Sequence, residues 1–164
     1  MYDYKPDETL APAELYRQLC DAADALTFGE SDGIANMANI AALIWEFVPT
    51  LNWAGFYRVV SAGDQSELVL GPFVGRPACI RIPIGQGVCG AAAQSGETQL
   101  VEDVHAFPGH IACDAASQSE VVVPVVRDGN VIAVIDLDSP VKGRFDNADA
   151  KGMEQLARIL ADRI

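Results

Sequence analysis

The sequence has few basic residues and no long apolar run, and these absences exclude several classes of function. Lys and Arg together number 11 against 23 Asp and Glu, which gives a formal net charge of −12. Because phosphate binding needs clustered Lys and Arg, this composition argues against a nucleic-acid surface. No stretch approaches the ~20 apolar residues that cross a bilayer. The acidic residues 1–10 also lack the apolar core of a signal peptide. We therefore expect a cytoplasmic protein with neither a nucleic-acid nor a membrane partner.

Metal and phosphate motifs are missing as well. From Cys79 through Cys89, His105 and His110 to Cys113 the spacings are ten, sixteen, five and three residues, so no pair has the C-x₂₋₄-C spacing typical of zinc sites. The glycine-rich segment 85–90 lacks the Lys-Ser/Thr ending of a phosphate-binding loop. We predict no metal and no cofactor.

The length of 164 residues fits one domain. We predict a polar N-terminal arm at 1–12 and a single domain at 13–164. Apolar residues at three- and four-residue steps predict a helix over 13–28, a second after the N-cap Asp32, and a closing helix after Asp146. Strands are expected at 52–60, 67–73, 78–82, 98–102, 120–126 and 131–138, with a short helix at 91–94. The class is α+β, an antiparallel sheet with helices packed on one side.

Three of the four cysteines lie between positions 79 and 113. Stable disulfides are rare in the cytosol, so these thiols are predicted to be catalytic, ligating or inert. Cys79 is expected to share a strand face with Arg81, whose charge favours a thiolate. Cys113 precedes a small-residue segment whose backbone N–H groups favour a thiolate, whereas the acids of that segment oppose it. Cys20, in the first helix, is predicted to be a small buried hydrophobe.

Three acids are candidates for one site. Asp136 and Asp138 share a strand face because successive side chains alternate. Glu120 joins them if a three-residue loop follows Arg127, and points to the opposite face if the turn has two residues. A bulge near Pro124 is a further alternative. We favour the register that gathers the three carboxyls, which would then need a cationic ligand or a raised pKa.

Five segments carry a resemblance to a known family: NWAGFY (52–57), LVLGPF (68–73), ACIRIPIGQGVCG (78–90), EDVHAFPGHIACDAASQSE (102–120) and VIDLDSP (134–140). Together they resemble the free methionine-(R)-sulfoxide reductases, small enzymes with a GAF fold, over residues 13–163. The resemblance implies a sheet of about six strands, and a pocket closed by a loop on the face opposite the helices. It also implies reduction of free L-methionine (R)-sulfoxide to methionine.

The resemblance also implies residue roles. Cys113 would attack the sulfoxide and become a sulfenic acid, Cys79 would resolve it as a disulfide, and Cys89 would be an alternative or later exchange partner. Thioredoxin would reduce the disulfide. The implied substrate-binding residues are Trp53 and Tyr57 at the methyl-sulfur end and the acids Glu120, Asp136 and Asp138 at the polar end.

Several points stay open. The resemblance does not say which acid donates a proton. His105 and His110 are expected to pack in a loop more often than to act as bases. GAF domains often dimerise through their helices, so a homodimer is allowed. The competing function is a non-catalytic GAF module that senses a small molecule, and the cysteine segments argue against it.

Overall fold

Four helices and six strands are formed in the computed structural model, which describes Pro6 and residues 9–63, 65–111 and 114–164. In chain order these are α1 (Pro12–Thr27), α2 (Gly33–Phe47), β1 (Trp53–Ala62), β2 (Gln65–Gly75), β3 (Arg81–Pro83), α3 (Gly87–Ser95), β4 (Gln99–Val101), β5 (Ser119–Arg127), β6 (Asn130–Ser139) and α4 (Asn147–Leu160). A short 3₁₀ turn, Val104–Ala106, precedes β5. The strands form one antiparallel sheet in the order β3-β2-β1-β6-β5-β4. The predicted α+β class and six-stranded sheet are confirmed.

The helix starts follow from local capping. The Asp32 side chain accepts hydrogen bonds from the backbone N–H groups of Ile34 and Ala35 at 2.9 Å each, and so caps α2. Asp146 caps α4 in the same way, and the Asp149 side chain accepts a hydrogen bond from the Asp146 N–H, which completes a capping box. Both caps were predicted from the sequence, because an acidic side chain before an apolar-periodic run satisfies otherwise unpaired N–H groups.

The sheet separates two apolar clusters. On the face that we call the helix face, α1, α2 and α4 pack over side chains such as Phe56, Val123 and Ile135. On the opposite face, which we call the pocket face, α3 and the adjoining loops cover Tyr57, Val122 and Val134. The prediction that helices pack on one side holds for the three long helices. The short α3 lies on the other side and covers the candidate site.

The β5–β6 register brings the three acids to the same face. Glu120 is paired with Asp138, and Val122 with Asp136, so that all three carboxyls point to the pocket face. The predicted gathering is correct, but the predicted three-residue loop is wrong. Arg127 pairs with Asn130 across a two-residue turn, Asp128-Gly129, in which both residues have positive φ (51° and 77°).

A bulge near the turn restores the register. Val126 pairs with Val131, but Val125 pairs with Ala133, so that β6 carries one extra residue at this point. Strict alternation from the sequence predicts Val131 on the face of Ala133 and Ile132 on the opposite face, and the extra residue reverses these two. Ile132 packs against the helix face and Val131 against the pocket face. A bulge that resets the register was one of the predicted alternatives, and it lies between Val125 and Val126, one residue beyond Pro124.

The predicted strand 78–82 is shorter than expected. β3 begins at Arg81, and Cys79 precedes it. Continued pairing with β2 would place residues 78 and 79 opposite Pro72 and Gly71, and Pro72 has no N–H to donate. The expectation that Cys79 and Arg81 share a strand face is therefore wrong. The Arg81 guanidinium pairs with Glu67 instead.

The remaining expectations concern the chain ends and the membrane. The division into an arm at 1–12 and a single domain at 13–164 stays a prediction, and residues 1–5, 7 and 8 of the arm lie outside the described residues. In the described part of the chain, no helix combines the length and the apolar character that crossing a membrane requires.

Candidate active site

A small pocket opens on the pocket face between β1, β6, β5 and α3. Its cavity has a volume of about 40 Å³, room for about one or two water molecules. Its lining includes six predicted site residues: Trp53, Tyr57, Cys89, Glu120, Asp136 and Asp138. Residues that the sequence did not indicate also line it: Pro77, Ala78, Ile82, Gln86, Gly87, Val88, Ile111, Asp114 and Ser117.

The aromatic wall of the pocket comes from β1. Trp53 and Tyr57 point to the same face, and their rings stack with centroids 5.9 Å apart. Phe73 of β2 stacks on Trp53 at 5.3 Å. Gly55 lies between the two aromatic residues, and a side chain there would come within 2.8 Å of the Phe73 backbone. The glycine therefore lets β2 approach β1 closely beside the stacked rings.

Hydrogen bonds fix the polar ends of both rings. The Trp53 indole N–H donates to the Arg76 carbonyl at 3.2 Å, and the Tyr57 hydroxyl donates to the Cys79 carbonyl at 3.0 Å. Both acceptors belong to the segment between β2 and β3. The aromatic wall therefore holds the chain that carries Cys79 against the pocket.

The three acids form the polar wall. Glu120 and Asp136 are buried, with exposed fractions of 6% and 5%. Burial raises the pKa of Glu120 well above its usual value, and the charges of Asp136 and Asp138 raise it further. Burial also raises the pKa of Asp136 to about 7, although hydrogen bonds from Cys89 and Glu120 oppose the shift. The pKa of Asp138 is raised by burial and by Asp136. The cluster therefore retains protons near neutral pH.

The cysteines differ in state and position. Cys79 is disulfide-bonded, whereas Cys89 and Cys20 are free and buried. Cys113, the predicted nucleophile, lies outside the described residues. Cys20 sits 2% exposed in the helix-face core, with its sulfur 3.9 Å from the Gly152 carbonyl oxygen, so its prediction as a small buried hydrophobe is confirmed.

Cys89 contacts the acids directly. Its Sγ lies 3.3 Å from Asp136 Oδ2 and 4.0 Å from Glu120 Oε1. Atoms of these three groups lie within 4.8 Å of one another, close enough to surround a metal ion. Because the Cys89 thiol hydrogen-bonds to Asp136 and burial raises the pKa of both carboxyls, we interpret the group as a proton-sharing cluster. Sequence spacing did not reveal it, because its members come from α3, β5 and β6.

The loop after position 113 is tied to the start of β1. The Asn52 side-chain amide donates to Ser117 Oγ at 3.0 Å and to Asp114 Oδ2 at 3.3 Å. Asp114 also accepts from the Ala116 N–H at 2.9 Å. Asn52 directly precedes Trp53. Its position in the NWAGFY segment was the only feature of the sequence that pointed to Asn52 as part of the site. The arrangement places the segment that begins at Asp114 over the acid cluster.

The two histidines occupy the loop before Cys113. Their rings meet edge to face with centroids 6.3 Å apart, and His110 lines the pocket. Burial, aided by His105, lowers the pKa of His110, which favours the neutral imidazole. A neutral ring of this kind can accept a proton, so the position of His110 is compatible with both packing and proton transfer.

Comparison with known proteins shows which family the chain belongs to. The GAF domain family matches residues 9–164. The chain is 49% identical over 147 residues to the free methionine-R-sulfoxide reductase of Escherichia coli, covering 90% of this chain and 87% of that protein. The enzyme of the same name from Saccharomyces cerevisiae is 43% identical, with 90% and 84% covered.

A solved structure extends the agreement to the fold. The X-ray structure of the free methionine-R-sulfoxide reductase from Neisseria meningitidis, in complex with its substrate, superposes with a TM-score of 0.91 at 42% identity, covering 99% of this chain and 95% of that one. A GAF sheet with an acid- and aromatic-lined pocket, and relatives at this level of identity, lead to one conclusion: the chain belongs to the GAF domain family, in the group that contains the free methionine-R-sulfoxide reductases.

Proposed function

We propose that this protein reduces free L-methionine (R)-sulfoxide to L-methionine. The observation that carries the proposal is a pocket with a stacked aromatic wall on one side and three proton-retaining carboxyls on the other. Relatives at 43–49% identity bear the name of this activity. Such a pocket suits a small molecule with an apolar sulfur end and a cationic end.

The acid cluster supplies recognition and a proton. Several buried carboxyls are stabilised together by a positive ligand group, and the substrate ammonium provides one. Reduction of a sulfoxide also needs a proton for the departing oxygen, and a carboxyl that keeps its proton near neutral pH can donate it. Trp53 and Tyr57 would enclose the methyl-sulfur end. Which of Glu120, Asp136 and Asp138 gives the proton stays open.

Cys113 is the proposed nucleophile. Its thiolate attacks the substrate sulfur, the oxygen is transferred to Cys113 as a sulfenic acid, and methionine leaves. The Cys79 thiol then attacks the sulfenic sulfur, water departs, and a Cys79–Cys113 disulfide forms. Support comes from the disulfide-bonded state of Cys79 and from the hydrogen bond that holds its carbonyl to Tyr57 at the pocket.

A dithiol reductant must close the cycle. Thiol–disulfide exchange with thioredoxin would return both cysteines to thiols, with two electrons entering per sulfoxide reduced. This chemistry suits a reducing compartment such as the cytoplasm, where we place the protein.

The test is NADPH consumption coupled through thioredoxin and thioredoxin reductase, with separated isomers of free methionine sulfoxide. We expect oxidation of NADPH with the R isomer and none with the S isomer or with a peptide that contains methionine sulfoxide, because a peptide bond removes the free ammonium group that the buried carboxyls would bind. Binding of the R isomer without NADPH oxidation would contradict the proposal and identify a sensing module.

A further inference from the structure

The place of Cys89 is set by tight backbone packing. Cys89 lies in the first turn of α3, directly before Gly90. A side chain at Gly90 would come within 2.6 Å of the Pro83 carbonyl oxygen, and the Gly90 carbonyl accepts a hydrogen bond from the Gly85 N–H at 2.8 Å. Because α3 is held closely against the 83–85 segment, the Cys89 sulfur has a defined position between helix and sheet.

The two carboxyl oxygens of Asp136 differ in their contacts, because only one of them hydrogen-bonds to the Cys89 thiol. Oδ2 lies at hydrogen-bonding distance from the Cys89 sulfur, 3.3 Å away. Oδ1 is buried and has no hydrogen-bond partner among the described residues. Asp136 is only 5% exposed and lines the pocket. A buried acceptor without a partner is costly, so Oδ1 is the oxygen that is available to a donor group on a ligand.

The surroundings of Cys89 keep its proton in place. Burial raises the pKa of the thiol well above its usual value, and the charges of Asp136 and Glu120 raise it further. Only the thiolate attacks a disulfide or a sulfenic acid, so a thiol held in this form is a hydrogen-bond donor and a poor exchange partner. The redox states of the two cysteines agree with this interpretation, because Cys89 is a free thiol whereas Cys79 is disulfide-bonded.

We infer that Cys89 is a positioning residue for the reaction, and not a redox partner: its thiol holds Asp136 Oδ2, so that Oδ1 faces the substrate. This inference rests on the proposed function and gives Cys89 a role other than the exchange role that the family resemblance implies. The titratable groups that face Asp136 come from each neighbouring element: Cys89 from α3, Glu120 from β5, Asp138 from β6 itself and Tyr57 from β1.

The test compares Cys89→Ala with Cys89→Ser in kcat/KM as a function of pH. The hydrogen bond from Cys89 lowers the pKa of Asp136, so its loss in Cys89→Ala should raise that pKa and move the acidic limb of the profile to higher pH. We expect kcat/KM of Cys89→Ala to fall roughly 10- to 100-fold near neutral pH, the usual effect of removing a hydrogen bond to a charged group. Cys89→Ser keeps a donor and should stay within a few-fold of the original protein, with an unshifted limb.

Cys20→Ser is the matched control, because Cys20 is the other free buried cysteine and lies on the opposite face of the sheet. It should leave the pH profile unchanged. A second measurement is alkylation after unfolding of protein that has reacted with substrate in the absence of reductant, and Cys89 should still be labelled as a free thiol.

Three results would overturn the inference. They are an unshifted profile with full activity in Cys89→Ala, a Cys89→Ser variant that stops after one turnover in the presence of thioredoxin, and recovery of Cys89 in a disulfide. Turnover of the R isomer by the original protein is measured separately, so failure of the inference is distinguishable from failure of the proposed function.

Discussion

The helix face and the pocket face of the sheet are both covered by other elements, but they are filled in different ways. The helix face is covered by three long helices that bury aliphatic and aromatic side chains. The pocket face is covered by the nine-residue α3 and by loops, and it buries carboxyls and a thiol among its apolar residues. Burial of apolar area on the helix face stabilises the fold. The pocket face contributes less of this stabilisation, because it buries polar groups that can take part in chemistry.

One buried carboxyl on each side makes the difference concrete. On the helix side, Asp149 accepts hydrogen bonds from the Tyr16 hydroxyl at 2.6 Å and from the Asp146 N–H at 2.8 Å, and pairs with Arg144 at 3.2 Å. On the pocket side, Asp136 has one oxygen without a partner among the described residues and no cation beside it. This difference supports a structural role for Asp149 and the proposed binding role for Asp136.

The largest expected effect compares two cysteines. Cys113→Ser should lower turnover with thioredoxin by roughly a thousandfold or more, since serine at neutral pH is a far weaker nucleophile than a thiolate. Cys20→Ser, on the helix face, should keep kcat while losing some stability. The measurement is NADPH oxidation with the R isomer. Retained multiple turnover in Cys113→Ser would refute the assignment of the nucleophile.

The next effect is on stability and belongs to the helix face. In Gly152→Ala, the added methyl group would lie 2.7 Å from Tyr16 Cβ and closer still to its ring, and the ring cannot swing away because Asp149 holds its hydroxyl. We expect a loss of about 2–3 kcal/mol of unfolding free energy, measured by denaturant titration. Activity per folded molecule should persist.

Lys151→Ala is the matched control for that substitution, because Lys151 is the exposed neighbour in the same helix. It should change the unfolding free energy by less than about 0.5 kcal/mol. Equal stability of Gly152→Ala and Lys151→Ala would show that α1 and α4 are not closely packed there.

The smallest expected effect is a gain in unfolding free energy, and it comes from a substitution on the pocket face. Asp136 has its pKa raised to about 7 in the folded protein, so the unfolded chain releases this proton at lower pH than the folded chain does. Stability from this group is therefore fully present below about pH 4 and is lost as pH rises through about 7. Asp136→Asn removes this loss. We expect the variant to gain about 1–3 kcal/mol relative to the original protein between pH 5 and pH 8, with lower activity.

Denaturant titrations of both proteins at the two pH values provide the measurement. Parallel changes in stability between pH 5 and pH 8 would show that Asp136 is not protonated in the fold. Gain of stability with loss of activity is the behaviour expected of a binding group and not of a core residue.

Most of the local structure could be predicted. Periodic apolar residues and the caps Asp32 and Asp146 located the long helices to within one or two residues, because these signals act over a few positions. The strands were located as well, and alternation correctly placed Asp136 and Asp138 on one face. The failures came where local signals compete. The start of β3 depended on Pro72 in another strand, and the β5–β6 register depended on a bulge that the sequence offered only as an alternative near Pro124.

The candidate site could be predicted as a set of residues, but not as an arrangement. Family resemblance supplied Trp53, Tyr57 and the three acids, and the pocket brings these together. The hydrogen bond between Cys89 and Asp136 and the tie from Asn52 to the loop at Ser117 could not be foreseen. These pairs are 47 and 65 residues apart in the chain, and nothing in the spacing joins them.

By itself, the sequence determined which segments become helices and strands, and it determined that Asp136 and Asp138 would share one face of a strand. Both properties follow from the period of the backbone and from contacts between near neighbours in the chain. The tertiary structure alone decided the protonation of the acids and the hydrogen bond between Cys89 and Asp136. Burial and approach between distant segments set pKa values and hydrogen-bond partners, and these exist only when the chain has folded.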